Sequence, residues 1–134
     1  MRAGIGIKLS MALALALIVG ATANGAGASS DIDAAAASAT RDCDISGEQT
    51  ELGASYVTSL KVENTSCRKG KKVVKAYHQC RKDNGGRNGY CNHRVKGFNC
   101  NEGDREGVPG VQYSAKVRCK DGDKRVKHTY TQNT

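Results

Sequence analysis

The sequence predicts an α+β domain: a small antiparallel sheet of three to four strands with one amphipathic helix packed on one face, stapled by disulfides. Three observations carry that prediction. Residues 111–119 and 124–131 alternate apolar and polar side chains on either side of an Asp-Gly turn signal, as a hairpin does. Residues 67–81 repeat their apolar side chains at the helical period and contain no proline. Six cysteines, Cys43, Cys67, Cys80, Cys91, Cys100 and Cys119, fall in one short stretch of chain.

Taken in order, residues 54–63 alternate, with Tyr56, Thr58, Leu60 and Val62 on one face of a strand and Val57, Ser59 and Lys61 on the other. The period then changes. Ser66 is a natural N-cap, and Cys67, Gly70, Val73, Val74, Tyr77 and Cys80 share one arc of a helix. Arg68, Lys71, Lys72, Lys75 and Lys82 gather opposite, and Asp83-Asn84-Gly85-Gly86 supplies the stop. Residues 93–100 read as a short strand in which Val95 and Phe98 are out of phase, with Gly97 in a bulge. Residues 101–110 read as a polar loop around the single proline, Pro109. Placing Asp121-Gly122 at the centre of a two-residue turn sets Val117 opposite Val126, Ala115 opposite His128 and Tyr113 opposite Tyr130.

The expected core is Leu60, Val62, Val73, Val74, Tyr77, Val95, Phe98, Tyr113, Val117, Val126 and Tyr130. With no tryptophan and one phenylalanine it is thin, and disulfides are the physical supplement for a body this small. Cys80 with Cys91 is the expected pairing, from the helix end to the next strand. The partner of Cys43 stays open among Cys67, Cys100 and Cys119. There is no C-x-x-C pair, and Cys91-Asn92-His93 is isolated, so no metal or other cofactor is expected.

Residues 1–23 read as a cleavable signal peptide: Arg2 and Lys8, a short apolar run, then small residues. Residues 24–42, rich in Ala, Gly and Ser, read as an unstructured spacer, and residues 43–131 as the disulfide-stabilised domain. A leader and an even cysteine count together place the chain outside the cell or in the cell envelope. No integral membrane segment is expected in the mature chain, and the oligomeric state is left open.

The order Val62-x-x-x-Ser66-Cys67, Val73-Val74-x-x-Tyr77, Gly97-Phe98-x-Cys100 and Val117-x-Cys119 resembles a loose group of small, uncharacterised secreted proteins predicted from actinobacterial genomes. The resemblance spans about residues 60–130. It implies bacterial export and a shared fold, and it brings no catalytic residues with it. Where that group carries alanine, this chain has Gly70, which weakens its helix.

Charge is the most informative functional signal. Residues 24–66 carry a net of −5, whereas residues 67–134 hold seventeen Lys and Arg against six acids, a net of +11. Arg68, Lys69, Lys71, Lys72 and Lys75 crowd the first turns of the helix, where the macrodipole favours acids. Lys116 with Lys127, and Arg118 with Arg125, stand as like-charged neighbours on the outer hairpin face. Such placement points to a non-enzymatic binding module for an anionic partner: a polymer, an acidic surface or a secreted protein. Two plainer explanations stand beside it: the basic side chains only solvate the surface, or the acidic stretch 42–63 folds over one basic face.

A ribonuclease-like enzyme is the first functional alternative, with His128 and Lys116 or Lys127 around a phosphate. The register turns His128 inward, however, and no hydrolase or phosphate-loop motif is present. The second is an inhibitor-type module presenting Arg105 and Glu106 on the loop 101–110.

Overall fold

The computed structural model describes residues 39–134. The expected signal peptide, residues 1–23, and residues 24–38 of the expected spacer lie outside the described residues. Six strands form one antiparallel sheet: β1 (Arg41–Asp42), β2 (Tyr56–Glu63), β3 (Asn99–Glu102), β4 (Glu106–Val108), β5 (Gln112–Asp121) and β6 (Lys124–Asn133). The order is β1-β2-β6-β5-β3, and β4 also pairs with β5. One helix, α1 (Cys67–Asp83), packs on this sheet. The α+β class is as expected, but the sheet has six strands rather than three to four. The extra ones are β1 and β4, two and three residues long, too short to display a period. β1 also carries the sheet into residues 41–42, which the sequence assigned to the spacer.

The long hairpin forms with its register displaced. Asp121 pairs with Lys124, Cys119 with Val126, Val117 with His128, Ala115 with Tyr130 and Tyr113 with Gln132. The turn is therefore Gly122-Asp123 rather than Asp121-Gly122. Gly122 has φ 58° and Asp123 is not among the positive-φ residues, which is the type II′ pattern of a glycine at the first central position. Each partner moves by two residues, so every side chain keeps its face, and the predicted core of the hairpin survives.

Two other stretches depart from the sequence reading. A bulge between Val57 and Ser59 resets the phase of β2, so Val57, Leu60 and Val62 are buried while Tyr56 and Thr58 are exposed. Val95 and Phe98 face each other across Lys96-Gly97, whose φ values are 50° and 92°, and exchange both backbone hydrogen bonds at 2.9 Å. Gly97 thus sits in a tight turn, not a bulge, and residues 93–98 form no strand. The turn explains why two apolar residues three apart reach the same core.

The helix begins where expected. Ser66 Oγ accepts from the Lys69 amide at 3.2 Å, and Val73, Val74 and Tyr77 are buried against the sheet. Gly70 lies where α1 crosses β2: a β-carbon built on it would stand 2.7 Å from Val62 Cγ1. The helix gives up about 1 kcal/mol of propensity relative to alanine, and the close crossing requires it. Gly70→Ala is therefore expected to destabilise the domain by about 1–2 kcal/mol net of the propensity gain, because valine is stiff at χ1 and the helix must back away. Adding Val62→Ala should recover part of that loss in a denaturation double-mutant cycle. A more stable Gly70→Ala protein would contradict the close crossing.

The core holds the expected residues together with Ile45, Leu52 and Ala54 from the segment between β1 and β2. Three disulfides close around it. Cys43–Cys67 ties the residue after β1 to the start of α1, Cys80–Cys91 holds the end of the helix, and Cys100–Cys119 joins directly opposed residues of β3 and β5. Among the described residues no cysteine is free, and no helix is long and apolar enough to cross a membrane. Three bridges fit an oxidising environment.

Candidate functional site

Because α1 covers one face of the sheet, alternation sends the other side chains of β2, β6 and β5 to the open face. The register stacks them in rows across neighbouring strands. One row runs Lys61, Lys127, Arg118; the next runs Glu63, Arg125, Lys120. Arg118 faces Lys127 directly, Lys127 faces Lys61, and Lys120 faces Arg125, with strands about 4.8 Å apart. The slip replaces the expected pairs Lys116–Lys127 and Arg118–Arg125 with these, and Lys116 now lies opposite Thr129. Lys61 is answered by Asp42 at 3.0 Å. Lys116, Arg118, Lys120 and Lys127 make no ion pair among the described residues.

This face is not flat. A depression of about 260 Å³ is bounded by Asp104, Glu106, Ser114, Lys116, Arg118 and Thr129. A second, of about 150 Å³, lies between Ser59, Lys61 and Lys127 and shares Lys116, Arg118 and Thr129 with the first. Together they make a shallow polar groove crossed by a basic ridge.

The helix cluster occupies the opposite side of the domain. Arg68, Lys72 and Lys75 are exposed and make no ion pair among the described residues. Lys71 is neutralised by Glu48 at 2.5 Å, and the Lys69 ammonium lies 6.0 Å from the Phe98 ring centroid. The acidic segment thus does fold against basic elements, through Glu48 at the helix and through Asp42 at Lys61 on the sheet.

Between the layers lies a polar cluster that anchors the groove wall. Arg81, one turn after Tyr77, is 2% exposed. Its Nε donates to the Gly89 carbonyl at 3.1 Å and stands 3.6 Å from Glu102 Oε2; its Nη2 donates to the Arg87 carbonyl at 2.7 Å and to the Tyr113 hydroxyl. Glu102 also accepts from Tyr77 Oη and, at 2.5 Å, from Arg105 Nε. Arg105 donates further to the Asn88 and Gly89 carbonyls at 2.7 Å and lies 3.7 Å from the Tyr90 ring centroid. Burial acts to lower the Arg105 pKa, but the hydrogen bond and charge of Glu102 outweigh it and raise it. Burial, then the Glu102 hydrogen bond, pushes the Tyr77 phenol up. A buried charge with this many partners is held in one place. The connection between β3 and β4 is therefore pinned by Arg105, which leaves Asp104 and Glu106 on the groove side.

Arg81 Nη1 lies 2.9 Å from His78 Nδ1, and His78 Nε2 lies 3.2 Å from His128 Nε2. Arginine only donates, so the His78 proton sits on Nε2 and is given to His128, whose own proton is on Nδ1. Both rings are buried, and burial, before the neighbouring charges, lowers both pKa values, to about 2 for His78 and about 3 for His128.

Two sequence-based placements change. Arg105 is turned inward, with its side chain 14% exposed, so the segment 101–110 does not display it. That segment holds part of β3 and all of β4 instead of an open loop. Cys91 is oxidised, so Cys91-x-His93 offers no thiolate ligand. His128 faces the core as the alternation indicated, away from Lys116 and Lys127. The sequence reading missed Arg81, Glu102 and His78 as a buried group. Their one local signal is spacing, since Tyr77, His78 and Arg81 fall within one turn on the apolar arc. Glu102 has no such signal, because two of its three partners, Tyr77 and Arg81, are remote in sequence. Tyr56, which alternation set on the face of Leu60 and Val62, is instead 45% exposed on the open face.

Fold and site together define a small disulfide-stapled α+β domain with one open, cationic, grooved sheet face. No protein-family model, curated protein or solved structure matches the chain.

Proposed function

We propose that this chain is a secreted, non-enzymatic binding module that docks anionic partners on the open face of its sheet. The observation that carries the reading is the direct apposition of Arg118 with Lys127, and of Lys127 with Lys61, on rigid neighbouring strands. Each like-charged neighbour pair costs up to about 1 kcal/mol in the free protein, and an anion laid across the row removes that cost. The helix cluster is partly neutralised by the pairing of Lys71 with Glu48, so it serves as a secondary contact. The pattern supports charge-based recognition without sequence reading, which weakens steeply with salt. The leader-like residues 1–23 and the three bridges support export.

The purified oxidised protein is expected to be retained on immobilised heparin at about 50 mM salt and released as salt rises. Lys116→Glu with Arg118→Glu should weaken binding at least about tenfold, more than Lys72→Glu with Lys75→Glu does. Arg118→Thr should weaken binding while raising stability by a few tenths of a kcal/mol, since it relieves the repulsion from Lys127. No retention at low salt, or retention indifferent to charge on the sheet, would remove the reading.

A further inference from the structure

The open face holds more than cations. Along the strands, the row beyond Lys116 and Thr129 contains Tyr56, Thr131, Ser114 and Glu106. Ser114 Oγ and Thr131 Oγ1 are 2.9 Å apart, and Tyr56 is the exposed ring at that end. From Thr131 to Arg125 the face runs about 20 Å, at about 3.3 Å per residue. An aromatic ring, a band of hydroxyls and a basic band therefore follow one another on one rigid surface. In the same groove Asp104 and Glu106 stand beside Lys116 and Arg118.

Carboxylates are out of place in a site for phosphate or sulfate charge alone, since they repel what the lysines attract. They fit a ligand that carries hydroxyl groups as well as anionic ones. A sugar hydroxyl donates to Asp104 or Glu106, its acidic substituent meets Lys116 or Arg118, and a ring face packs on Tyr56. A nucleic acid strand uses successive aromatic platforms, and this face has one.

Resting on the reading of the open face as an anion-docking surface, we infer that its ligand is an acidic polysaccharide, recognised through hydroxyl and acidic groups together along the open face from Tyr56 to Arg125.

Four probes of matched length separate the outcomes by titration at about 100 mM salt: polygalacturonate, heparin oligosaccharide, inorganic polyphosphate and single-stranded DNA. The two acidic glycans are expected to bind at least about fivefold more tightly per charge than polyphosphate or DNA. Tyr56→Ala should weaken glycan binding about fivefold to tenfold and leave polyphosphate unchanged. Glu106→Gln should weaken the glycans yet tighten polyphosphate, a reversal that a purely structural role for Glu106 would not produce. Both sites are exposed, and a far-ultraviolet spectrum matching the parent verifies folding. Equal binding of all four probes, unaffected by Tyr56→Ala and Glu106→Gln, would overturn the glycan inference and leave the cationic docking face standing. Tighter binding of DNA would likewise overturn it in favour of a nucleic acid. Failure of every probe, with heparin unbound even at low salt, would take both readings down.

Discussion

Reducing the three disulfides at neutral pH is expected to unfold the described domain. The bridges close loops of 24, 11 and 19 residues, and each is worth about 2–4 kcal/mol. Three such contributions are comparable with the whole stability of an ordinary small domain, about 5–15 kcal/mol. The core offers little in reserve: its largest purely apolar side chains are one phenylalanine, two leucines and one isoleucine, and the remainder is mostly valine and tyrosine. The bridges differ in what they hold. Cys43–Cys67 restrains the segment that brings Ile45, Leu52 and Ala54 into the core, a stretch whose regular structure is confined to turns. Replacing that pair with alanine should cost the most, in line with its longer loop. Cys100–Cys119 joins residues already opposed in the sheet and should cost least after reduction of that bridge alone. Thermal unfolding followed by circular dichroism, with and without a phosphine reductant, decides the matter. A reduced protein that still melts cooperatively within a few degrees of the oxidised one would refute the dependence.

Acid is the second large lever. His78 and His128 are held neutral between the helix and the sheet, where their neighbours are Arg81, Tyr77 and Tyr130, with Lys82 adding to the repulsion on His78. Their folded pKa values, about 2 and about 3, lie below the ordinary value of 6.5. The unfolded chain therefore binds more protons than the folded one between pH 6.5 and about pH 3, and stability falls as pH falls through that window. With both rings titrating only on unfolding, the slope approaches about 2.7 kcal/mol per pH unit, and the loss by pH 4.5 reaches about 5 kcal/mol. Above pH 6.5 this dependence vanishes. Urea midpoints between pH 7 and pH 4.5 should show the decline, and His128→Gln should roughly halve its slope. Titration of the assigned His78 or His128 imidazole resonances near pH 6.5 in the folded protein would be incompatible with the buried pair.

How much of the fold was legible depended on whether a residue's role is local. Ser66 as cap, the apolar arc of α1 and the inward face of the hairpin all follow from spacing within one element, and all are found. The hairpin slip shows where this stops. Asp-Gly and Gly-Asp turns keep the same faces, so alternation alone leaves the two registers equivalent, and the backbone at Asp121, which pairs with Lys124 and has no positive φ, separates them. The bulge at Thr58 and the turn at Lys96-Gly97 reset the phase within a few residues, which periodicity over so short a window does not resolve. β3 and β4 exist because β5 offers them a partner, not because their own residues favour strands.

The candidate site divides in the same way. Its charges are in the sequence, but the rows that set Lys61, Lys127 and Arg118 side by side come from pairing between strands more than fifty residues apart for β2 and β6. The acidic wall of the groove is held by contacts no sequence window shows: Arg105 turned inward to Glu102, and β4 paired with β5.

By itself, then, the sequence determined the α+β class, the amphipathic helix and its cap, the inward face of the hairpin, and a strong excess of positive charge after Cys67, since each depends on composition or on neighbours a few residues apart. Tertiary structure alone decided the partner of Cys43, the buried Arg81–Glu102–Arg105 cluster and the groove between lysines and carboxylates. Those depend on which distant strands meet and in what register, a choice set by the summed packing of the whole core.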